Sequence, residues 1–152
     1  MDDPAQRPLV IGWKEVVELP EWGIRRLRIK ADTGARTSAI DVLKYAIDEA
    51  DAAGPVVELE LALDPRHRER VQVVRAPLLG QVLVRNSGGQ RECRPLVETT
   101  LRLGPVTKRV RLTVANRAGL RFRMLLGRQA LLGDFLVDVG QKYLWKRVAG
   151  GG

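Results

Sequence analysis

A chain of 152 residues, 45% of them apolar, is long enough for one packed domain that buries roughly two-thirds of the surface its unfolded form exposes. The single cysteine, Cys93, excludes an internal disulfide and is read as structural, and no apolar run approaches the roughly eighteen residues a membrane helix needs, so a cytoplasmic address is expected. Net charge is +8, and 20 of the 26 basic residues are arginine, which favours polyanions or acidic peptides as partners; aromatics at 5% without basic–aromatic interleaving leave nucleic acid unexpected.

Residues 1–9 read as a disordered lead-in, 10–148 as one domain and 149–152 as a flexible glycine tail. Val10 to Leu19 carries apolar residues on both parities and ends at Pro20, and Pro20-Glu21-Trp22-Gly23 signals a turn. From Ile24 to Ala31 the apolar Leu27, Ile29 and Ala31 alternate with Arg26, Arg28 and Lys30, the period of a half-buried strand. Ser38 to Ile47 reads as a further strand, whereas Ala-rich Glu49 to Ala53 favours a helical turn, so that stretch stays ambiguous. Val57, Leu59, Leu61 and Leu63 give the clearest alternation in the chain, followed by a charged loop at Asp64 to Arg68.

Val71 to Val74 and Val82 to Arg85 read as strands around a break at Pro77 and Gly80. Asn86-Ser87-Gly88-Gly89 then predicts a tight hairpin turn into Glu92 to Val97, because two glycines tolerate positive φ. Gly104-Pro105 marks a second hairpin, whose return strand alternates Val110, Leu112 and Val114 with arginine and threonine. Met124 to Leu126 is continuously apolar, Gln129 to Leu132 is a short helix candidate, and Phe135 to Val139 and Tyr143 to Trp145 offer the last strands. Short strands and little helix point to an all-β sandwich or barrel.

At the end of the Ile24 to Ala31 strand stands Asp32, followed by Thr33 and Gly34. A carboxylate there is either a turn cap or an active-site group on a loop. What favours the second is the rest of the chain. Asp32-Thr33-Gly34-Ala35, the glycine-tipped hairpin and Leu125-Leu126-Gly127-Arg128, in that order, resemble a retropepsin, the retroviral type of aspartic protease. Leu19-Pro20, Gly23-Ile24, Lys30 to Ala39, and Met124 to Arg128 followed by Phe135-Leu136-Val137-Asp138 resemble more closely a bacterial and archaeal retropepsin-like family associated with ATP-grasp glutamate ligases.

The resemblance implies an all-β, retropepsin-like closed barrel with a flap hairpin and one short C-terminal helix. It implies Asp32 as the catalytic residue, Thr33, Gly34, Ala35, Gly127 and Arg128 as its supporting loop, and Ser87, Gly88 and Gly89 as the flap tip. One position departs: many viral members carry an acid four residues after the catalytic Asp, paired with the arginine equivalent to Arg128, and here that position is Arg36. Arg128 therefore needs another partner, a loop carbonyl or Asp41. Arg36 becomes a candidate for binding an acidic substrate, with Lys30 the second candidate if it faces the cleft.

Aspartic proteolysis needs two carboxylates sharing one proton, and this chain has one Asp-Thr-Gly; Asp138-Val139-Gly140 lacks the hydroxyl. The second Asp must come from another copy, so a two-fold homodimer is expected, with the Thr33 hydroxyls locking the loops across its axis. Ala35 cannot donate the hydrogen bond that a Ser or Thr there would, so the pair is expected to work nearer neutral pH.

Members of this family have been called ATP-dependent zinc proteases. One His, one Cys and no His-Glu-x-x-His give no zinc set, and no phosphate-binding loop is present, so neither metal nor cofactor is expected. The expected function is an aspartic endopeptidase acting on peptide or protein tails, glutamate-rich ones included. The alternatives are a silent module binding acidic tails or an ATP-grasp ligase partner, and, from charge alone, a nucleic-acid binder.

Overall fold

The computed structural model describes residues 7–50, 52–63, 69–85, 88–116 and 122–145. The strands are β1 (Leu9–Gly12), β2 (Lys14–Leu19), β3 (Ile24–Ala31), β4 (Ser38–Asp41), β5 (Lys44–Asp48), β6 (Val56–Ala62), β7 (Val71–Pro77), β8 (Gly80–Arg85), β9 (Arg91–Leu103), β10 (Val106–Ala115), β11 (Met124–Leu126) and β12 (Phe135–Asp138), with one helix, α1 (Arg128–Leu131).

Six of them close a barrel in the order β10-β4-β11-β3-β2-β9, with β9 returning to pair with β10. Closure follows from alternation. On β3, Leu27, Ile29 and Ala31 turn inward while Arg26, Arg28 and Lys30 stay in water, and on β9 and β10 Val97, Leu101, Leu103, Val110, Leu112 and Val114 fill the same interior. Ile24 is buried off this alternation because the β2–β3 register shifts between Val17 and Leu19.

β9 is thirteen residues long and serves two partners. Its first half, Arg91 to Leu96, pairs with β8 and its second half, from Leu96, with β10. The β8–β9 hairpin therefore rises from the barrel wall as a flap continuous with it. The chain at Ser38 to Ile47 is two strands rather than one. After Asp41, Val42 N–H donates to Ala115 on the barrel and Leu43 N–H to Glu60 on a separate sheet, so the backbone changes sheets between them. No helix forms over the described part of Glu49 to Ala53; Asp48 instead caps a turn by accepting from Ala50 N–H at 3.0 Å.

That separate sheet, β5-β6-β7, adds Val57, Leu59, Leu61, Val74 and Ala76 to the barrel's core cluster. Arg123, 7% exposed, fastens it: Nε donates to Ala62 O at 2.9 Å and Nη1 pairs with Asp41 at 3.1 Å.

β1 and β12 pair in parallel, outside the barrel. Tyr143 to Trp145 is a strap rather than a last strand, because its backbone donors are spent elsewhere. Tyr143 N–H bonds Lys14 O, and Leu144 and Trp145 N–H bond the carboxylate of Glu15. Cys93, read as structural, is exposed on the flap, its thiol 2.8 Å from Gln81 Oε1. The Asp64 to Arg68 loop, and all of the lead-in and tail except Arg7 to Leu9, lie outside the described residues. Among those described, no helix is long and apolar enough to cross a membrane.

Candidate active site

β3 delivers Asp32 to its position. Ala31 N–H bonds Trp13 O and Asp32 N–H bonds Leu126 O, both at 2.8 Å, so the strand end is clamped between β2's entry and β11. The next residues fold back: Gly34 N–H donates to Asp32 Oδ1 at 3.1 Å and Ala35 N–H to Asp32 O at 3.2 Å. Asp32 is half-buried, Thr33 and Gly34 are exposed, and among the described residues only Oδ1 of the Asp32 carboxylate has a hydrogen-bond partner. A carboxylate with one oxygen anchored and the other open is suited to hold or move a proton at the free oxygen.

Gly127 and Arg128 support this loop from the far side of β11. A Cβ on Gly127 would stand 2.4 Å from Thr37 O and 2.9 Å from Ala35 O, so only glycine allows the approach. That approach lets Arg128 N–H bond Ala35 O at 2.8 Å and Gln129 N–H bond Arg36 O at 3.0 Å. The open question of the Arg128 side chain resolves to a loop carbonyl: Nη1 donates to Thr33 O at 3.0 Å. Asp41 is taken by Arg123.

Two supporting groups were missed in the sequence. Ser38, 2% exposed, accepts Gly127 N–H on its hydroxyl at 3.0 Å, tying the loop's exit to its buttress. Glu15 is fully buried and accepts Gly12 N–H (2.7 Å), Leu144 N–H and Trp145 N–H (both 3.0 Å). Its signal was present, since Glu15 shares parity with the inward Val17 and Leu19, where a charge is unexpected unless its oxygens are satisfied.

At the flap tip Gly88 and Gly89 are exposed, and Gly89 has φ +80°, a conformation that glycine adopts without strain. Ser87 lies outside the described residues. Below the flap runs a cleft of about 470 Å³, bounded on one wall by Val82, Val84 and Arg85 of β8 and on the other by Arg36, Arg111 and Gln129. Arg36 is thus at the cleft. Lys30 is exposed, opposite Lys14 on β2 and Leu125 on β11, and is not part of that cleft's lining. Asp138 accepts Gly140 N–H at 2.9 Å in a turn after β12, so Asp138-Val139-Gly140 is a turn and no second catalytic loop. Among the described residues no group of three or more His, Cys, Asp or Glu is placed to hold a metal ion.

A six-stranded barrel, a flap drawn from its wall, and an Asp-Thr-Gly loop buttressed by a Gly-Arg turn define the retropepsin-like class of fold and site. The chain belongs to the RimB-like family, retropepsin-like aspartic endopeptidase RimB, which it matches over residues 10–148. Two curated relatives are named "Probable alpha-L-glutamate ligase". The one from Desulfotalea psychrophila is 32% identical over 131 residues, and the one from Parasynechococcus marenigrum 33% over 134. The matched regions take up 85% and 87% of this chain but only 28% of each relative. A solved structure from Legionella pneumophila, of a protein of unknown function, superposes with a TM-score of 0.76 at 20% identity over 92% of this chain and all of that one, a likeness of fold.

Proposed function

We propose that the protein is an aspartic endopeptidase that acts as a two-fold homodimer on acidic protein tails. The observation that carries this reading is Asp32 itself, held at a strand end with Oδ1 on Gly34 N–H, on a loop whose next residues, Arg36 and Thr37, line the cleft below the flap. Two such groups facing each other across a two-fold axis would share one proton. At ~4 Å and an effective dielectric near 20 their charges repel by about 4 kcal/mol, so one carboxyl keeps the proton while the other is ionised.

The ionised carboxylate takes a proton from a water whose oxygen bonds to the peptide carbonyl carbon, and the protonated partner gives its proton to the carbonyl oxygen. In the second step the C–N bond breaks as the nitrogen receives a proton from one carboxyl of the dyad while a hydroxyl of the intermediate returns a proton to the other, leaving a carboxylic acid, an amine and the dyad with its one shared proton. Thr33 and Gly34 are exposed, as groups that meet a second copy must be. Among the described residues β12 pairs only with β1, and Val10 and Leu136, directly opposite in that pair, are 45% and 56% exposed. A free strand edge beside an apolar pair suits a second copy of the same ribbon.

The acidic substrate rests on the net charge of +8 and on the glutamate-ligase name borne by relatives of which this chain spans about a quarter. A peptidase alongside such a ligase would remove what the ligase adds. Arg36, at the cleft, is the proposed substrate contact there; Lys30 does not line that cleft and is not part of it. The test is cleavage of a glutamate-tailed peptide by wild type and Asp32→Asn, with solution mass measured on the same samples. Cleavage by a dimer, abolished in Asp32→Asn, is expected; cleavage that survives the substitution, or a strictly monomeric active species, refutes the reading.

A further inference from the structure

The outer face of β3 carries charge that the fold does not balance. The strand alternates, so Arg26, Arg28 and Lys30 stand on the side away from the core, and all three are exposed. On β9 and β10 the exposed arginines meet carboxylates: Arg102 pairs with Glu18 at 3.4 Å, Arg109 with Glu21 and with Glu98 at 3.2 Å, and Arg111 with Glu98 at 3.5 Å. Arg26, Arg28 and Lys30 have no carboxylate partner among the described residues. The adjoining strands supply none. On β2, Val16 stands opposite Arg28 and Lys14 opposite Lys30, and on β11 Leu125 stands opposite Lys30. Glu18 of β2 is turned to Arg102 on β9.

The three cations form a row with the spacing of a strand, about 7 Å from one to the next. An extended peptide has the same repeat, so every second side chain of an α-linked glutamate chain falls beside one member of the row. The row also leads to the reacting group. Asp32 is two residues beyond Lys30, about 7 Å along the chain, and Arg26 is about 20 Å from it. None of the three lines the cleft below the flap, and none belongs to the surfaces proposed to meet a second copy.

We propose that this row is an exosite, a second binding site that holds the stretch of an acidic tail lying beyond the bond to be cut. The inference rests on the proposed function for the identity of the ligand, and it assigns the preferred length of tail to Arg26 and Arg28. Each contact between an exposed cation and a carboxylate is weak and screened by salt. Once a tail occupies the catalytic site, the remaining contacts form within one complex, so a tail long enough to reach several cations gains from all of them. The row thereby retains substrate without touching the chemical step.

The test pairs two peptides that differ only in their tails, about two and about eight glutamates, because about six extended residues span the row from Asp32. Binding is measured on the full chain carrying Asp32→Asn, and turnover on the Asp32 protein. An exposed ion pair contributes up to about fivefold, so Arg26→Gln combined with Arg28→Gln should weaken long-tail binding about tenfold and leave the short tail within about twofold. KM for the long tail should rise by the same factor while kcat holds, a split that a structural role for the arginines would not produce. At about 1 M salt, where screening acts within about 3 Å, the difference between variant and wild type should vanish.

Equal loss for both tails, no loss for the long tail, or tighter binding of an oligouridylate than of a glutamate tail of equal charge overturns the proposal. Long-tail binding that depends on Arg26 and Arg28, without any cleavage by the Asp32 protein, would sink the peptidase reading and leave this one standing. Cleavage of the long tail that is indifferent to both arginines would do the reverse.

Discussion

Gly127→Ala tests whether the Asp32 loop is held by backbone contact. The new methyl would sit 2.4 Å from Thr37 O, 2.6 Å from Thr37 C and 2.9 Å from Ala35 O, all backbone atoms that cannot swing aside. Alanine at an ordinary φ would by itself stabilise by about 0.4–1 kcal/mol through the unfolded chain. Overpacking against fixed atoms costs about 1–3 kcal/mol, and backbone obstacles on two residues put this site at the upper end. The clash therefore wins by about 2 kcal/mol, a fall in melting temperature of about 4–8 °C for a domain of this size.

Relief requires the Ala35 to Thr37 segment to move away from β11, which stretches the Arg128 N–H to Ala35 O and Gln129 N–H to Arg36 O bonds and shifts Asp32 with them. Peptide cleavage should therefore fall well beyond what the unfolded fraction explains. Gly140→Ala is the control, since its Cβ meets only the Asp138 side chain, at 3.3 Å. Thermal and urea unfolding of both variants decide the matter. A Gly127→Ala protein within about 0.5 kcal/mol of wild type would refute the reasoning, because that is the range of substitutions that touch nothing.

Glu15→Gln keeps the side chain's shape but replaces one acceptor oxygen by a donor facing backbone N–H groups; a loss of about 2–3 kcal/mol in urea unfolding is expected, with the 141–145 strap cut first in limited proteolysis. Asp48 is held below the usual carboxylate range by the Ala50 N–H and then by Arg75, which also meets Glu58. A depressed pKa contributes stability above the unfolded value of 3.8 that is lost as pH falls through the folded one. Asp48→Asn should therefore be less stable than wild type at neutral pH, and the gap in melting temperature should close below about pH 4.

Period-2 alternation made most of the barrel legible, because strands with one face in the core must alternate; β3 is found with the bounds read from the sequence. What failed were places where the backbone's partners, rather than its side chains, decide the structure. Tyr143 to Trp145 is apolar like a short strand but spends its donors on Lys14 O and Glu15, and the Ser38 to Ile47 run divides because Val42 and Leu43 bond to different sheets. At the site, the Asp32 loop and its Gly127-Arg128 buttress were legible through resemblance, and Arg36 marked where the borrowed ion pair had to end. Its replacement, Arg128 on Thr33 O, is a bond to a carbonyl, which every residue carries and no sequence advertises. Arg36 was legible as a candidate, but its neighbours were not: Arg85 and Arg111 are remote from it in sequence and share its cleft only once β9 has bent from flap to barrel.

That shared cleft bears on why one Asp-Thr-Gly per chain suits an acidic tail. In the proposed two-fold pair every feature is duplicated, so the cleft lined by Arg36, Arg85 and Arg111 occurs twice, once for each Asp32. A peptide has a direction and the site does not, so the backbone alone cannot tell one end from the other. A tail of repeated glutamates presents the same charge on both sides of every bond, and it satisfies both arginine clusters in any register and either orientation. A sequence with one acid can satisfy only one cluster and leaves the other without a counter-ion. The symmetry of the proposed pair would thus fit repetitive acidic chains cut at interior bonds better than a substrate recognised by a single side chain.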